Sequence, residues 1–135
     1  MITYTTDIQR ITTNMLNGFF VGWSNPPTPS AHMNILKGSY LVWLAIDSDT
    51  NNVIGFINAI SDGVLSAYIP LIEVLPEYQN RGIGRELTIR MLDSLKHLYM
   101  IDLLCDPELQ DFYAKFGMHN ATGSFIRNYE RQSCE

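Results

Sequence analysis

The spacing of apolar residues changes along the chain and predicts strands that alternate with helices. Residues 2–5 alternate polar and apolar side chains, as a short strand does. A first helix is predicted from about Asp7 to Gly18. Its apolar residues recur at helical intervals, namely Ile8, Ile11, Met15 and Phe19. A second helix is predicted from Pro29 to Gly38, since proline suits the first helical position and glycine suits the end.

Three consecutive strands are predicted in the middle of the chain, at residues 41–46, 53–60 and 67–75. The first two flank a cluster of polar residues at 47–52, so we expect them to form a hairpin. Residues 61–63 supply the turn to the third strand. The predicted order is therefore one strand, two helices and then three strands.

A long amphipathic helix is predicted from about Arg81, and a short strand follows it at residues 100–105. One face of this helix carries only apolar residues, namely Ile83, Leu87, Met91, Leu95 and Leu98. A helix with such a face packs against a core, so we expect this face to be buried.

A further helix is predicted between Asp106 and Gly117, because aspartate is a favoured N-cap and glycine is a favoured helix stop. Its buried face is expected to carry Leu109, Phe112 and Phe116. A closing strand is predicted at residues 121–129, and residues 118–120 are a candidate for another short strand.

Composition places the chain among single globular domains. It has 135 residues, of which 46% are hydrophobic and 17% are charged, so we expect one domain over residues 1–135. The sequence contains no apolar run long enough for a transmembrane helix. Residues 1–10 lack the apolar core of a signal peptide, and a cytoplasmic location is expected.

Charge and metal-ligand spacing exclude two further classes of function. The net charge of -5 argues against nucleic-acid binding, which requires a basic surface. The cysteines and histidines are scattered without metal-ligand spacing, namely Cys105, Cys134, His32, His97 and His119. We therefore expect no metal site.

The loop at residues 19–29 is unusually rich in aromatic residues for a surface connection. Phe19, Phe20 and Trp23 have two interpretations. They pack the loop onto the core, since aromatic side chains bury large areas, or they form the wall of a ligand cleft, since binding residues are often found on loops.

The segment at residues 72–85 carries the strongest chemical signal. A strand ends, and a loop with Gly82 and Gly84 then opens the long helix. The first turn of a helix has free N–H groups and a positive dipole end, and glycine lets a phosphate approach the backbone. Arg81 and Arg85 add positive charge. The segment lacks the patterns of a Walker phosphate loop and of a Rossmann dinucleotide site. The alternative to an anion site is that the two glycines only form a tight turn between strand and helix.

Residues 79–84 read Gln-Asn-Arg-Gly-Ile-Gly, which matches the Gln/Arg-x-x-Gly-x-Gly/Ala signature of the GNAT superfamily of N-acetyltransferases. Residues 112–118 read Phe-Tyr-Ala-Lys-Phe-Gly-Met and resemble that superfamily's downstream Phe-Tyr-x-Lys-x-Gly-Phe segment. The resemblance covers roughly residues 40–120. It implies an α/β (α+β) fold with a mixed, largely antiparallel sheet flanked by helices on both faces.

The resemblance also implies acetyl-CoA as the acetyl donor. Its diphosphate would lie on main-chain amides, and its pantetheine arm would pair with a strand edge that a bulge opens. The residues implied to bind the coenzyme are Ile72, Val74, Gln79, Asn80, Arg81, Gly82, Ile83, Gly84, Arg85 and Asp106. Asp106 stands where the superfamily often has asparagine, so it keeps an acceptor oxygen and loses the amide donor.

The reaction that the resemblance implies is direct attack of an amine on the thioester in a ternary complex. Tyr113 matches the tyrosine that acts as acid towards the leaving thiolate. Glu73 is a candidate base, although a strand carboxylate can equally face solvent and ordered water can take the proton. Asp62 and Asp102 are weaker candidates for the base.

The predicted function is therefore acetyl transfer from acetyl-CoA to a primary amine of a small molecule or peptide. The acceptor pocket is expected to be lined by Phe19, Phe20, Trp23 and Leu65. A homodimer is possible, and neither nucleic acid nor a membrane is an expected partner. A non-catalytic acyl-CoA-binding or sensing domain and a purely structural module are the alternatives.

Overall fold

A computed structural model describes residues 1–135 and contains one five-stranded sheet with the strand order β1-β2-β3-β4-β5. The strands are β1 (Ile2–Thr5), β2 (Leu41–Asp47), β3 (Asn52–Ser61), β4 (Ser66–Val74) and β5 (Met100–Asp102). All neighbours pair antiparallel except β4 and β5, which are parallel. The predicted mixed, largely antiparallel sheet is confirmed.

Three α-helices accompany the sheet, namely α1 (Pro29–Gly38), α2 (Ile83–Ser94) and α3 (Gln110–Ala114). Thr28 caps α1 by accepting a hydrogen bond from the Ala31 amide, and Pro29 occupies its first turn. The apolar face predicted for α2 is buried over its whole length. None of the helices has the length and apolar character needed to span a bilayer.

Helices cover both faces of the sheet, as predicted. On one face, the Trp43 indole donates a 3.0 Å hydrogen bond to Ser94 in α2. On the other face, the Phe56 ring meets the His32 ring of α1 with centroids 4.5 Å apart. Phe56 lies at the centre of a single core cluster that both helices share with the sheet. The predicted fold class is confirmed.

The predicted first helix is wrong. The segment instead forms two short 3₁₀ turns, Ile8–Arg10 and Thr13–Met15. Ile11 and Thr12 between them have extended backbone, with ψ of 135° and 160°. Residues 11–13 read Ile-Thr-Thr, and three consecutive β-branched side chains disfavour a helix. The apolar spacing therefore reflected separate contacts with the core.

The predicted closing strands are also wrong. Residues 118–128 contain no strand, and every residue from 121 to 131 is exposed. β5 is shorter than predicted, since it ends at Asp102 instead of Cys105. The tail runs beyond β5 without pairing with its open edge. β5 therefore remains an edge strand.

The buried face predicted for α3 is shifted. Leu109 is exposed, Phe112 and Phe116 are only half-buried, and Tyr113 is the buried side chain. A 3₁₀ turn, Pro107–Leu109, precedes the helix and has about three residues per turn instead of 3.6. This tighter turn rotates the following residues, so the helical spacing counted from Leu109 selects the wrong face.

Candidate active site

β4 separates from its parallel neighbour halfway along its length. β5 pairs with β4 from Ser66 to Tyr68, and residues 69–74 have no strand on that side. The β3 register shifts at the same place, so that residues 69 and 70 of β4 lie opposite Ala59 alone. This is a β-bulge, and Pro70 within it has no N–H to give to a ladder. The bulge implied by the GNAT resemblance is present.

The last residues of β4 present their backbone to the gap that this separation opens. The Leu75 amide donates a 2.9 Å hydrogen bond to Ile54 on the β3 side. Backbone groups alternate along a strand, so the N–H groups of Val74 and Ile72 point to the opposite side. The Val74 carbonyl there accepts a 3.0 Å bond from the side-chain amide of Gln79. These are the residues predicted to pair with a pantetheine arm.

A run of free amides begins directly beyond this edge. Gly82 caps α2 with a φ of 81°, and Asn80 is also left-handed with a φ of 63°. The first helical bond is donated by Glu86, and none of the amides of residues 80–85 donates to an acceptor within the protein. A Cβ added at Gly82 would meet no atom within 4 Å. We call residues 80–85 the amide cradle, since they can surround an anion.

Two of the predicted cradle residues have other contacts. The Gln79 amide donates to the Pro76 carbonyl at 3.2 Å and is not free, so only its side chain acts here. The Arg81 guanidinium donates to the Glu77 carbonyl and lies 5.2 Å from the centre of the Tyr78 ring. Arg85 is exposed and has no ion pair. Both arginines keep their charge, and Arg85 is the one whose guanidinium has no hydrogen bond or ring contact within the protein.

Glu73 lies on the sheet face opposite α2, beside Phe56 in the strand register. Its carboxylate accepts backbone hydrogen bonds from Phe20 at 2.8 Å and from Val21 at 3.3 Å. The side chain is directed into a cleft of about 340 Å³. The cleft is lined by Val21, Trp23, Phe56, Leu71, Ile72, Glu73 and Gln79. Of the two interpretations of Glu73, the structure supports a carboxylate that faces a cleft.

The residues predicted to line the acceptor pocket separate into three groups. Phe19 and Phe20 belong to the buried core, where both rings pack against His32. Trp23 is 39% exposed and lines the Glu73 cleft. Leu65 precedes β4 and is 51% exposed, at the end of the strand opposite to Glu73. At about 3.3 Å per residue, roughly 25 Å separates the two, so the structure removes Leu65 from the pocket.

Tyr113 is 7% exposed and lies outside the main core cluster. Burial, and then the nearby Cys105, raise the pKa of its phenol above the usual value. The phenol is therefore protonated at neutral pH, as a general acid must be. Tyr113 also packs edge-on against Phe112, with ring centroids 5.0 Å apart.

The remaining predicted acidic residues have simpler environments. Asp62 accepts bonds from the amides of Val64, Leu65 and Ser66, which lower the pKa of its carboxyl. This carboxylate shapes the β3–β4 turn. Asp102 is exposed on the edge strand β5. The Asp106 side chain makes no capping bond, and its backbone carbonyl accepts from Leu109 at 2.9 Å instead.

Two contributors to this site carried no signal in the sequence. Val21 is an ordinary loop residue in the sequence, yet its amide holds Glu73 and its side chain lines the cleft. Asp47 was assigned only to a polar turn, yet its carboxylate accepts a 2.6 Å hydrogen bond from Tyr78. Both roles depend on contacts between segments that are far apart in the chain.

A bulged β4, parted strands and free amides at the start of α2 together define an acetyltransferase fold of the GNAT type. The model of the Acetyltransferase (GNAT) family matches residues 8–118. The chain therefore belongs to this family.

Known proteins similar to the chain agree with this assignment. A proposed acetyltransferase from Deinococcus radiodurans R1 is 43% identical, with a TM-score of 0.94 over 98% of this chain and 92% of that one. The GNAT family protein SP0256 from Streptococcus pneumoniae TIGR4 is 28% identical, with a TM-score of 0.76 over 95% and 98%.

Curated relatives are longer than this chain. The uncharacterized N-acetyltransferase ycf52 of Pyropia yezoensis is 27% identical over 72% of this chain and 58% of its own length. GCN5-related N-acetyltransferase 2, chloroplastic, of Arabidopsis thaliana is 30% identical over 72% of this chain and 45% of its own length. The chain thus spans about half the length of the curated relatives it matches.

Proposed function

We propose that the protein transfers the acetyl group of acetyl-CoA to a primary amine of a small molecule or peptide. The observation that carries the proposal is the amide cradle at residues 80–85, which adjoins the open edge of β4 at Ile72 and Val74. The amide cradle alone would suit many anions. The cradle and the open strand edge together suit a ligand with a diphosphate at one end and an amide-containing arm at the other.

The residues present fit acetyl-CoA. Open space at Gly82 and the free amides around it suit its diphosphate, and Arg85 supplies a free positive charge. The backbone of Ile72 and Val74 suits the amides of the pantetheine arm, since a strand edge accepts an extended partner. When bound, acetyl-CoA supplies an acetyl group activated as a thioester.

Side chains of the protein would remove the proton from the amine and supply a proton to the leaving sulfur. The amine must be neutral to react, and the Glu73 carboxylate in the cleft takes its proton directly or through ordered water. Two backbone amides fix the direction of this carboxylate. The protonated Tyr113 phenol donates to the leaving sulfur. A backbone N–H near Val74 that does not pair with the arm stabilises the negative charge that develops on the carbonyl oxygen.

A non-catalytic protein that binds or senses acyl-CoA is the alternative. Such a protein would need the cradle and the open edge but not Glu73 or Tyr113. Release of free thiol from acetyl-CoA, measured with a panel of amines, separates the two. The enzyme produces thiol in proportion to the amine that is acetylated, whereas the sensor produces none with any amine.

Thermal unfolding with coenzyme A tests the cradle on which both interpretations depend. At a concentration about 100 times Kd, a ligand stabilises the native state by about 2.7 kcal/mol. Gly82→Glu places a side chain and a negative charge in the cradle and should abolish this stabilisation. Gly117→Glu is the matched control, because Gly117 has a φ of 87° and a Cβ there also meets nothing within 4 Å. Equal stabilisation of both variants would contradict the proposal.

The proposal includes a homodimer in the cytoplasm. Phe125, Ile126 and Tyr129 are exposed on the tail, and β5 has one unpaired edge. A second copy would cover both surfaces. Light scattering should give the mass of a dimer for the wild type and the mass of a monomer for Ile126→Asp. A single mass for the wild type would contradict the dimer.

A further inference from the structure

We propose that the acceptor is an apolar primary monoamine, whose ammonium group pairs with Glu73 and whose hydrocarbon body lies against Trp23. This inference names the substrate class and rests on the proposed function. Such an acceptor carries one positive charge, no carboxylate and no phosphate.

The charge of the cleft is that of a single carboxylate. Glu73 is the one ionisable side chain among its lining residues, and no lysine, arginine or histidine lines it. The remaining polar side-chain groups are the indole N–H of Trp23 and the amide of Gln79, whose nitrogen already donates to Val74. A carboxylate or phosphate on the acceptor would therefore enter without a cationic partner, close to a negative charge.

Five of the seven lining residues have apolar or aromatic side chains. Val21, Trp23 and Leu71 all remain at least partly accessible around the carboxylate. A cleft of about 340 Å³ lies at the lower end of the range for small-molecule sites. An ammonium group on an alkyl or aryl body would satisfy Glu73 and remove apolar surface from water at the same time.

The two recognition groups are held by the same loop, which keeps them in a fixed arrangement. The Phe20 amide donates a 2.8 Å hydrogen bond to Glu73, and the centroid of its ring lies 4.9 Å from that of the Trp23 ring. The Phe20 ring in turn packs against the buried His32 ring, also at 4.9 Å. Trp23 and Glu73 are thus positioned by one core-anchored residue, and less ordering is needed when an amine binds.

Matched pairs of amines test the substrate class. Phenethylamine and phenylalanine differ by one carboxylate, and hexylamine and 1,6-diaminohexane differ by one ammonium group. We expect kcat/KM to favour phenethylamine over phenylalanine on the order of 100-fold, because an unpaired charge must be desolvated. We expect hexylamine to be favoured over the diamine. Equal or higher values for phenylalanine or the diamine would overturn the inference while leaving acetyl transfer intact.

Trp23→Ala tests the pocket itself. The KM for phenethylamine should rise about tenfold, since much of the apolar contact is lost, while the stabilisation by coenzyme A stays the same. Trp23→Phe should restore most of the affinity. Leu65→Ala is the matched control, because it also truncates an exposed apolar side chain but lies at the other end of β4. An unchanged KM in Trp23→Ala would overturn the inference.

A binding measurement separates this inference from the proposed function. Saturation-transfer NMR detects phenethylamine on the protein whether or not an acetyl group is transferred. Binding that is lost in Trp23→Ala, without thiol release, would support the cleft as an amine site and contradict the enzyme. Thiol release with other amines, without phenethylamine binding, would support the enzyme and contradict the inference.

Discussion

The hydroxyl of Tyr78 donates a 2.6 Å hydrogen bond to the carboxylate of Asp47. This bond lowers the pKa of Asp47 and raises the pKa of Tyr78. It joins the end of β2 to the short turn that precedes the amide cradle, and the Arg81 guanidinium lies over the Tyr78 ring. We interpret Tyr78 as the residue that positions the cradle relative to the sheet.

Tyr78→Phe should weaken coenzyme A binding several-fold, because the turn before the cradle loses its attachment. Asp47→Asn keeps an acceptor for the hydroxyl and should weaken binding less. Isothermal titration calorimetry measures both. The KM for the amine should not change in either variant, which separates a positioning role from general instability. Wild-type affinity in Tyr78→Phe would contradict the role of the bond.

Glu73→Gln tests whether this carboxylate is the base. Glutamine keeps one acceptor oxygen for the Phe20 amide but has no acceptor for the Val21 amide, which uses the second oxygen at 3.3 Å, so the loop should keep the shorter of its two attachments. If Glu73 takes the proton, kcat should fall about 100-fold. A wild-type kcat would assign proton removal to ordered water.

Tyr113→Phe should lower turnover with little change in coenzyme affinity. The pKa of this phenol is raised by burial, so it holds its proton at the pH where the enzyme works. Loss of a general acid typically costs 10²–10⁴-fold in rate, and we expect about 100-fold. Steady-state kinetics with saturating acetyl-CoA measures the effect. Unaltered turnover would remove Tyr113 from the mechanism.

The buried ring of His32 should make the free energy of unfolding depend on pH. Its ring is fully buried among Phe19, Phe20 and Phe56, and neither ring nitrogen has a hydrogen-bond partner. Burial lowers its pKa to about 4 from 6.5. The unfolded chain therefore binds a proton between pH 6.5 and 4 that the folded protein does not bind, and stability falls as the pH falls through this window.

The expected loss is about 3 kcal/mol between pH 7 and pH 4, at about 1.4 kcal/mol for each pKa unit. Urea unfolding at several pH values measures it. His32→Phe should remove most of the slope above pH 4, whereas His97→Gln should not, because His97 is exposed. The same slope in His32→Phe would show that another group is responsible.

The sequence was sufficient for the elements that position the cradle. Apolar runs of strand length located the strands at 41–46 and 53–60, and the period of 3.6 residues located the buried face of α2, because the core covers all three elements. The glycine at position 82 was also informative, since it supplies the left-handed backbone where the helix begins. These signals are local, and local patterns are visible in a sequence.

The errors concern contacts that no local pattern reports. Leu65 was assigned to the pocket, although the length of β4 carries it away from Glu73. The first helix was predicted from apolar spacing, although β-branched residues 11–13 break it into turns. The hydrogen bonds from the amides of Phe20 and Val21 to Glu73 join segments more than fifty residues apart. Only the tertiary fold brings such groups together.

An NMR titration of the amide protons with coenzyme A reports residue by residue where the coenzyme binds. The free amides of residues 80–85 should bind the diphosphate, and the edge at Ile72 and Val74 should bind the arm. We expect the amide resonances of these residues to shift and to become protected from exchange with solvent, and we expect Gly82→Glu to abolish both effects. Large shifts elsewhere, with residues 80–85 unchanged, would contradict this mode of binding.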